Sequence, residues 1–140
     1  DSRFTLANLM RAQLYGVFAT LSIGMAVLDD EGVKLDRMFA HGGVLRTAGV
    51  AQRFLAAALR VPVSVGETAS EGGAWGIAVL ASYAASATDE SLADFLQNRV
   101  FRSASVTVAQ PHPDDVTGFA SYLDRYRAGL AIERTAADSI

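Results

Sequence analysis

The sequence predicts an α/β fold of short strands and about five helices. Three observations carry this. Residues 35 to 65 run strand, helix, strand in about thirty residues, the length of a βαβ unit. Residues 6–28 and 116–130 carry apolar side chains at helical spacing. "SASVTVA", residues 103–109, alternates with the period of a half-buried strand.

The chain opens with a helix. Leu6, Leu9, Met10, Leu14, Val17, Phe18, Leu21, Met25 and Leu28 recur at its period, apolar on more than one side, with Thr5 as cap and Gly32 just beyond the end. Gly16 and Gly24 inside it cost roughly 1 kcal/mol each against alanine, so close packing against another element is expected there. "LDRMFA", residues 35–40, reads as a short strand broken by His41-Gly42-Gly43. A helix follows from Gly49 to Arg60, with Val50, Phe54, Leu55, Ala58 and Leu59 on one face.

"VPVSV", residues 61–65, is the next strand, with Pro62 at its start or edge because proline offers no N–H to a ladder. Gly66 to Gly73 form a second small-residue turn, then a helix spans about Ala74 to Ala87. Thr88, Asp89 and Glu90 cap a short helix over 91–101. Pro113 suits the first turn of a last helix, where Asp114 and Asp115 favour its positive end. Val116, Phe119, Leu123, Tyr126 and Leu130 form its stripe. Three or four strands are few for a doubly wound sheet, which points to a piece of a larger α/β protein.

Composition bounds the function. The chain has 140 residues, 51% hydrophobic and 19% charged, an apolar excess for one small domain. A net charge of -3 without clustered Lys and Arg argues against a nucleic-acid surface. Residues 12–28 are bracketed by Arg11 and Asp29 and interrupted by polar side chains, which argues against a membrane span. The start shows no basic segment and no cleavage site of a signal peptide. With no cysteine and two distant histidines, His41 and His112, no metal site is expected.

Two glycine turns remain. A strand ending in Gly42-Gly43 lets a ligand approach the backbone closely, and open α/β sheets bind ligands beyond the carboxyl ends of their strands. The second turn, "ETASEGGAWG", repeats the arrangement one βα unit later, so the two would line one crevice. Glycine's commonest use is a turn, and spacing leaves both uses open. Neither turn carries the P-loop or dinucleotide pattern. His41 is expected to touch a ligand or tie down its turn, and Arg46 to face solvent or a phosphate. Glu71 should cap its own loop, Trp75 should be core, Gly76 should allow close helix–sheet packing, and His112 should be a surface turn residue. The acids at 29–31, 89–90 and 114–115 read as helix-end and surface groups.

The run "LDRMFAHGGVLRTAGVAQRFLAAALRVPVSVGETASEGGAWGIAVLASYA" closely resembles the C-terminal domain of the FGGY family of carbohydrate kinases. There a strand leads to a Gly-Gly turn, a helix ends in a "G-x-P-V" strand, and "E-x-G-A-x-G-A-A" follows. Gly42 and Gly43, Arg60 to Val63, and Glu71 to Ala78 hold those places. The opening helix is similar to the family's helix before the turn. The tail "PDDVTGFASYLDRYRAGLAIERTA" is similar to the closing helix of the xylulokinase and ribulokinase-like branch.

The resemblance implies a ribonuclease-H-like, actin-like ATPase fold, here the C-terminal nucleotide-binding part, residues 1–140, of a two-domain cytoplasmic sugar kinase. It implies ATP and Mg²⁺, with the γ-phosphate passing to a hydroxyl of a sugar, a ketopentose by the tail. Gly42 and Gly43 would pack near the ribose and α-phosphate, with Val44 and Thr47 beside the adenine. The sugar, the other phosphate loop and the Asp base belong to the family's upstream part, so no catalytic residue is assigned here and the isolated chain is expected to be inactive. A non-catalytic actin-like lobe used for assembly or regulation is the alternative, and self-association is expected in either case.

Overall fold

The computed structural model describes residues 3–86 and 89–139. Helix α1 spans Leu6–Asp30. The Thr5 hydroxyl accepts the Asn8 N–H at 3.2 Å and satisfies an otherwise unpaired donor of the first turn. Gly32, at φ 70°, reverses the chain at the other end, and the Val33 N–H closes back on the Leu28 carbonyl at 2.8 Å. By length and composition alone α1 would qualify as a membrane-crossing helix, against the expectation from its bracketing charges. It lies against two other helices, with Tyr15, Phe18 and Ala19 buried at the contact.

The sheet has three strands in the order β1-β2-β3. Strand β1 is Met38–Phe39 and β2 is Val63–Gly66, paired parallel with Met38 opposite Val63. Strand β3 is Val106–Ala109, antiparallel to β2 with Gly66 opposite Val106. All three are shorter than expected: 35–40 contracts to two residues, 61–65 begins after Pro62, and 103–109 loses its first three. Pro62 still contributes its carbonyl, which accepts the Met38 N–H at 2.9 Å.

Helix α2, Val50–Leu59, is the crossover between β1 and β2. It begins at Gly49, φ 77°, and stops at Arg60, the one non-glycine residue with a left-handed backbone among the described residues, φ 58°. One side of α2 lies on the sheet and another meets α1 and the closing helix α5, Pro113–Ala137. The small side chains of Ala51, Ala56, Ala57 and Ala58 are all buried, which permits contact on several sides at once. Tyr15 is the hub of the helical layer, edge-on to Phe54 of α2 and to Phe119 and Tyr122 of α5 at 5.2–5.5 Å. A β-carbon added at Gly16 would stand 3.7 Å from the Tyr122 hydroxyl, an ordinary contact, so α1 and α5 approach closely there without excluding a methyl group. Gly24 meets no neighbour, so the expected contact there is absent.

Arg53 of α2 binds the Asp115 carboxylate through two guanidinium nitrogens and clamps α2 to the first turn of α5. Pro113 opens α5 as expected, and Phe119 and Leu123 of its stripe are buried, whereas Leu130 is exposed.

Helix α3, Gly72–Ala85, starts two residues earlier than expected and buries none of its residues. Ala87 and Thr88 lie outside the described residues. Ser91 caps the next helix by accepting the Asp94 N–H at 3.1 Å. That helix, α4, is Leu92–Phe95 and passes into a π-helical turn, Leu96–Val100, so 91–101 is not one regular helix. Tyr83 stacks near Phe95 and donates to the Glu90 carbonyl at 2.8 Å, fastening α3 to this segment.

The face of the sheet away from α2 is only partly open, since Ser64 on it is fully buried. Phe39, Val106 and Val108 are 65%, 45% and 47% exposed, while their neighbours Met38, Val65 and Ala109 pack into the core. The pleat sends alternate side chains to opposite faces, and helices fill one of them.

Candidate functional site

The carboxyl ends of the parallel strands β1 and β2 lie side by side, and each runs straight into a glycine turn. After β1 the chain passes through His41 and Gly42 into a 3₁₀ turn, Gly43–Leu45. Gly42 has φ 117° and ψ 167°, a backbone open essentially to glycine alone. Leu45 is buried and pins this turn to the core, while Gly43, Val44 and Thr47 face solvent. No described atom lies within 4 Å of where a β-carbon on Gly42 or Gly43 would stand.

After β2 a second 3₁₀ turn, Ala69–Glu71, leads into α3. The two turns are joined three ways. Gly42 donates its N–H to the Ala69 carbonyl at 2.6 Å. The Arg46 guanidinium meets the Glu71 carboxylate at 2.7 Å. The His41 ring packs against the bare α-carbon of Gly72. The two turns are thus fastened to one another, with His41 as one of the fastening residues.

Between the joined turns, the open end of the sheet and α3 lies a cleft of about 760 Å³. Its walls include Phe39, His41, Thr68, Gly72, Trp75 and Phe101. Trp75 is half-buried and tilts against Phe101 with ring centroids 5.7 Å apart. It therefore lines the cleft and is not core, because α3 does not lie flat on the sheet. For the same reason Gly76 packs against nothing within 4 Å. Sequence reasoning gave Phe101 no role; it stands 26 residues from Trp75, across a π-helical turn that has no periodic signature.

Glu71 stands at the start of α3 but makes no capping bond with its side chain, which goes to Arg46 instead. Glu67 is the acid that lines the cleft, and its carboxylate accepts the Ser105 hydroxyl. On the α2 side of the turns, Gln52 is buried and donates to the Val63 and Thr107 carbonyls, both at 2.9 Å. It holds α2 to β2 and β3 just beneath the site. His112 is exposed at the head of α5, away from the cleft.

The cleft offers aromatic walls that suit a flat ring, whereas Gly42, Gly43, Val44 and Thr47 stand outside its lining and Arg46 borders a separate groove with Leu45, Gly49, Gln52 and Gly66. Among the described residues no three His, Asp or Glu side chains converge on a common point, so the cleft has no protein cage for a metal ion.

Residues 1–85 match the family model described as the C-terminal domain of the FGGY family of carbohydrate kinases. No curated protein and no solved structure gives a match. The α/β architecture, with five helices and a three-stranded sheet among the described residues, agrees with part of the ribonuclease-H-like, actin-like fold that this family implies.

Proposed function

Because the chain belongs to the FGGY family of carbohydrate kinases, we propose that it supplies the ATP-binding side of a sugar kinase active site. Gly42 and Gly43 lie against the ribose and α-phosphate, and Val44 and Thr47 border the adenine. The observation that carries this is the junction of the two glycine turns at the carboxyl ends of adjacent parallel strands, the place where open α/β sheets receive ligands.

The chemistry follows from what these residues can and cannot do. A bare glycine backbone at Gly42 and Gly43 admits the ligand to van der Waals distance. Phosphoryl transfer is mostly positioning and charge neutralisation. The described residues contribute the positioning of the nucleotide. Magnesium finds no cage here, so it would arrive on the phosphates of ATP. The attacking sugar hydroxyl and the base that takes its proton belong to groups outside this cleft, and the chain alone is inactive in this reading. The acceptor is a ketopentose, on the likeness of α5 to the closing helix of that branch. The compartment is the cytoplasm, with which a chain lacking cysteine is compatible.

Titrating the chain with ATP and ADP tests this. The single tryptophan, Trp75, lines the cleft and reports occupancy by its fluorescence. Saturable quenching, with backbone amide shifts centred on Gly42 and Gly43, is the expected result. No change at millimolar nucleotide would sink the proposal and leave a non-catalytic lobe as the better account.

A further inference from the structure

We propose that Arg46 is the residue of this chain that meets a phosphate of the bound nucleotide, and that Glu71 parks its guanidinium until the nucleotide arrives. This rests on the nucleotide reading above and adds to it a named charge and an exchange of partners.

The backbone dictates where Arg46 can go. Its N–H closes the 3₁₀ turn on the Gly43 carbonyl at 3.1 Å, and Leu45 beside it is buried. The Arg46 side chain must therefore leave the turn toward solvent. It crosses the gap between the two glycine turns and stops at Glu71, 2.7 Å away. That places a fixed positive charge three residues from Gly43, on the rim of the proposed seat.

The pair is built to be exchanged. Both side chains are largely exposed, 73% for Arg46 and 65% for Glu71, and exposed pairs contribute about 0–1 kcal/mol. Arg53 differs: its partner Asp115 is 12% exposed and receives two guanidinium nitrogens. Losing Arg46 leaves Glu71 hydrated rather than buried and alone. Glu71 also stands at the positive end of α3, which favours its charge without Arg46. A phosphate carries more charge than a carboxylate and matches the planar guanidinium fork. The Glu71 carboxylate would otherwise oppose a phosphate arriving beside Gly43, and Arg46 offsets it.

Three variants of the chain decide the matter: Arg46→Ala, Arg46→Lys and Glu71→Gln, each titrated with ATP and with adenosine by Trp75 fluorescence. Arg46→Ala should weaken ATP about tenfold, the scale of one hydrogen bond to a charged group, while adenosine affinity and the melting temperature hold. Arg46→Lys should recover part of the loss. Glu71→Gln should tighten ATP about threefold by freeing the guanidinium. The affinity for ATP should fall less steeply with salt in Arg46→Ala than in the unaltered chain. If Arg46→Ala binds ATP as the unaltered chain does, the phosphate role is wrong while the nucleotide seat stands. Equal losses for ATP and adenosine would mean a structural role and overturn the proposal. Unchanged ATP affinity in Glu71→Gln would remove the parking role. An unaltered chain that binds neither ligand overturns both this proposal and the reading beneath it.

Discussion

The β-carbon of His41 lies 2.9 Å from where a β-carbon on Gly72 would stand, so the second residue after one strand's end occupies the space left by a glycine after the next. A methyl group there meets the near end of the histidine side chain, which cannot swing aside without moving the backbone. Gly72→Ala should gain up to about 1 kcal/mol of helix propensity and lose about 1–3 kcal/mol to overpacking. The expected result is a net loss in urea melts, relieved in the double variant with His41→Gly, which removes the β-carbon that the new methyl group meets. A more stable Gly72→Ala chain would refute the contact.

Arg60 stops α2 in a left-handed conformation, φ 58° and ψ 26°, at the place where the resembling "G-x-P-V" pattern has glycine. The left-handed backbone costs a non-glycine residue roughly 1–2 kcal/mol, part of which glycine gives back in the entropy of the unfolded chain. Arg60→Gly should raise stability by about 1 kcal/mol in denaturant melts. A loss of stability would show that the arginine side chain holds something the geometry does not reveal.

Gln52 gives both protons of its amide to the carbonyls of Val63 and Thr107, and its oxygen accepts the Thr107 hydroxyl at 3.3 Å. Gln52→Leu keeps the volume and strands these acceptors. A loss of about 1–3 kcal/mol follows for polar groups left unpaired, read as a lower urea midpoint with an unchanged slope.

Burial pushes the Tyr15 phenol above its ordinary value of 10.0, against a smaller opposing effect from Arg11. Tyr122 is pushed up as well, by burial and then by Tyr126. Between pH 10 and those raised values the unfolded chain releases phenolic protons that the folded chain keeps. Folding stability is therefore full below about pH 10 and declines above it. In Tyr15→Phe the alkaline decline should be shallower, measured by chemical denaturation from pH 8 to 11. An unchanged slope would contradict the burial of this phenol.

The chain exposes 9936 Å² of surface, against about 7000 Å² expected for a compact monomer of its mass. Helix α3 is apolar except for Ser82 and the Tyr83 hydroxyl, yet none of its residues is buried, and Ile77 and Leu80 are 69% and 48% exposed. A helix apolar on every side is ordinarily a buried one. Self-association follows, with a sedimentation profile that shifts to larger species as concentration rises. Ile77→Glu with Leu80→Glu should reduce that shift. A strictly monomeric profile in the unaltered chain would count against the exposed face.

The long helices were legible because each is one continuous period with its own punctuation: Thr5 and Gly32 bound α1, and Pro113 opens α5. The βαβ unit and the two glycine turns could also be read from local pattern, because strand ends and left-handed turns have compositional signatures. The helix expected over 91–101 was less legible, since its apolar positions fit an α-helix while the backbone widens into a π turn after Phe95.

By itself the sequence determined which segments are helical or extended and where the backbone must bend, because period, capping and φ are set within a few residues. It also determined the family, since the order and spacing of the glycine and proline signals are linear features. Tertiary structure alone decided what those features touch. It sent Glu71 to Arg46 instead of its own loop, set Trp75 against Phe101 in a cleft instead of the core, and laid His41 on Gly72. Each of these pairs residues 25 or more apart in sequence. Their distance is fixed by how β1 and β2 lie side by side and by the angle at which α3 leaves the sheet, which no local pattern encodes.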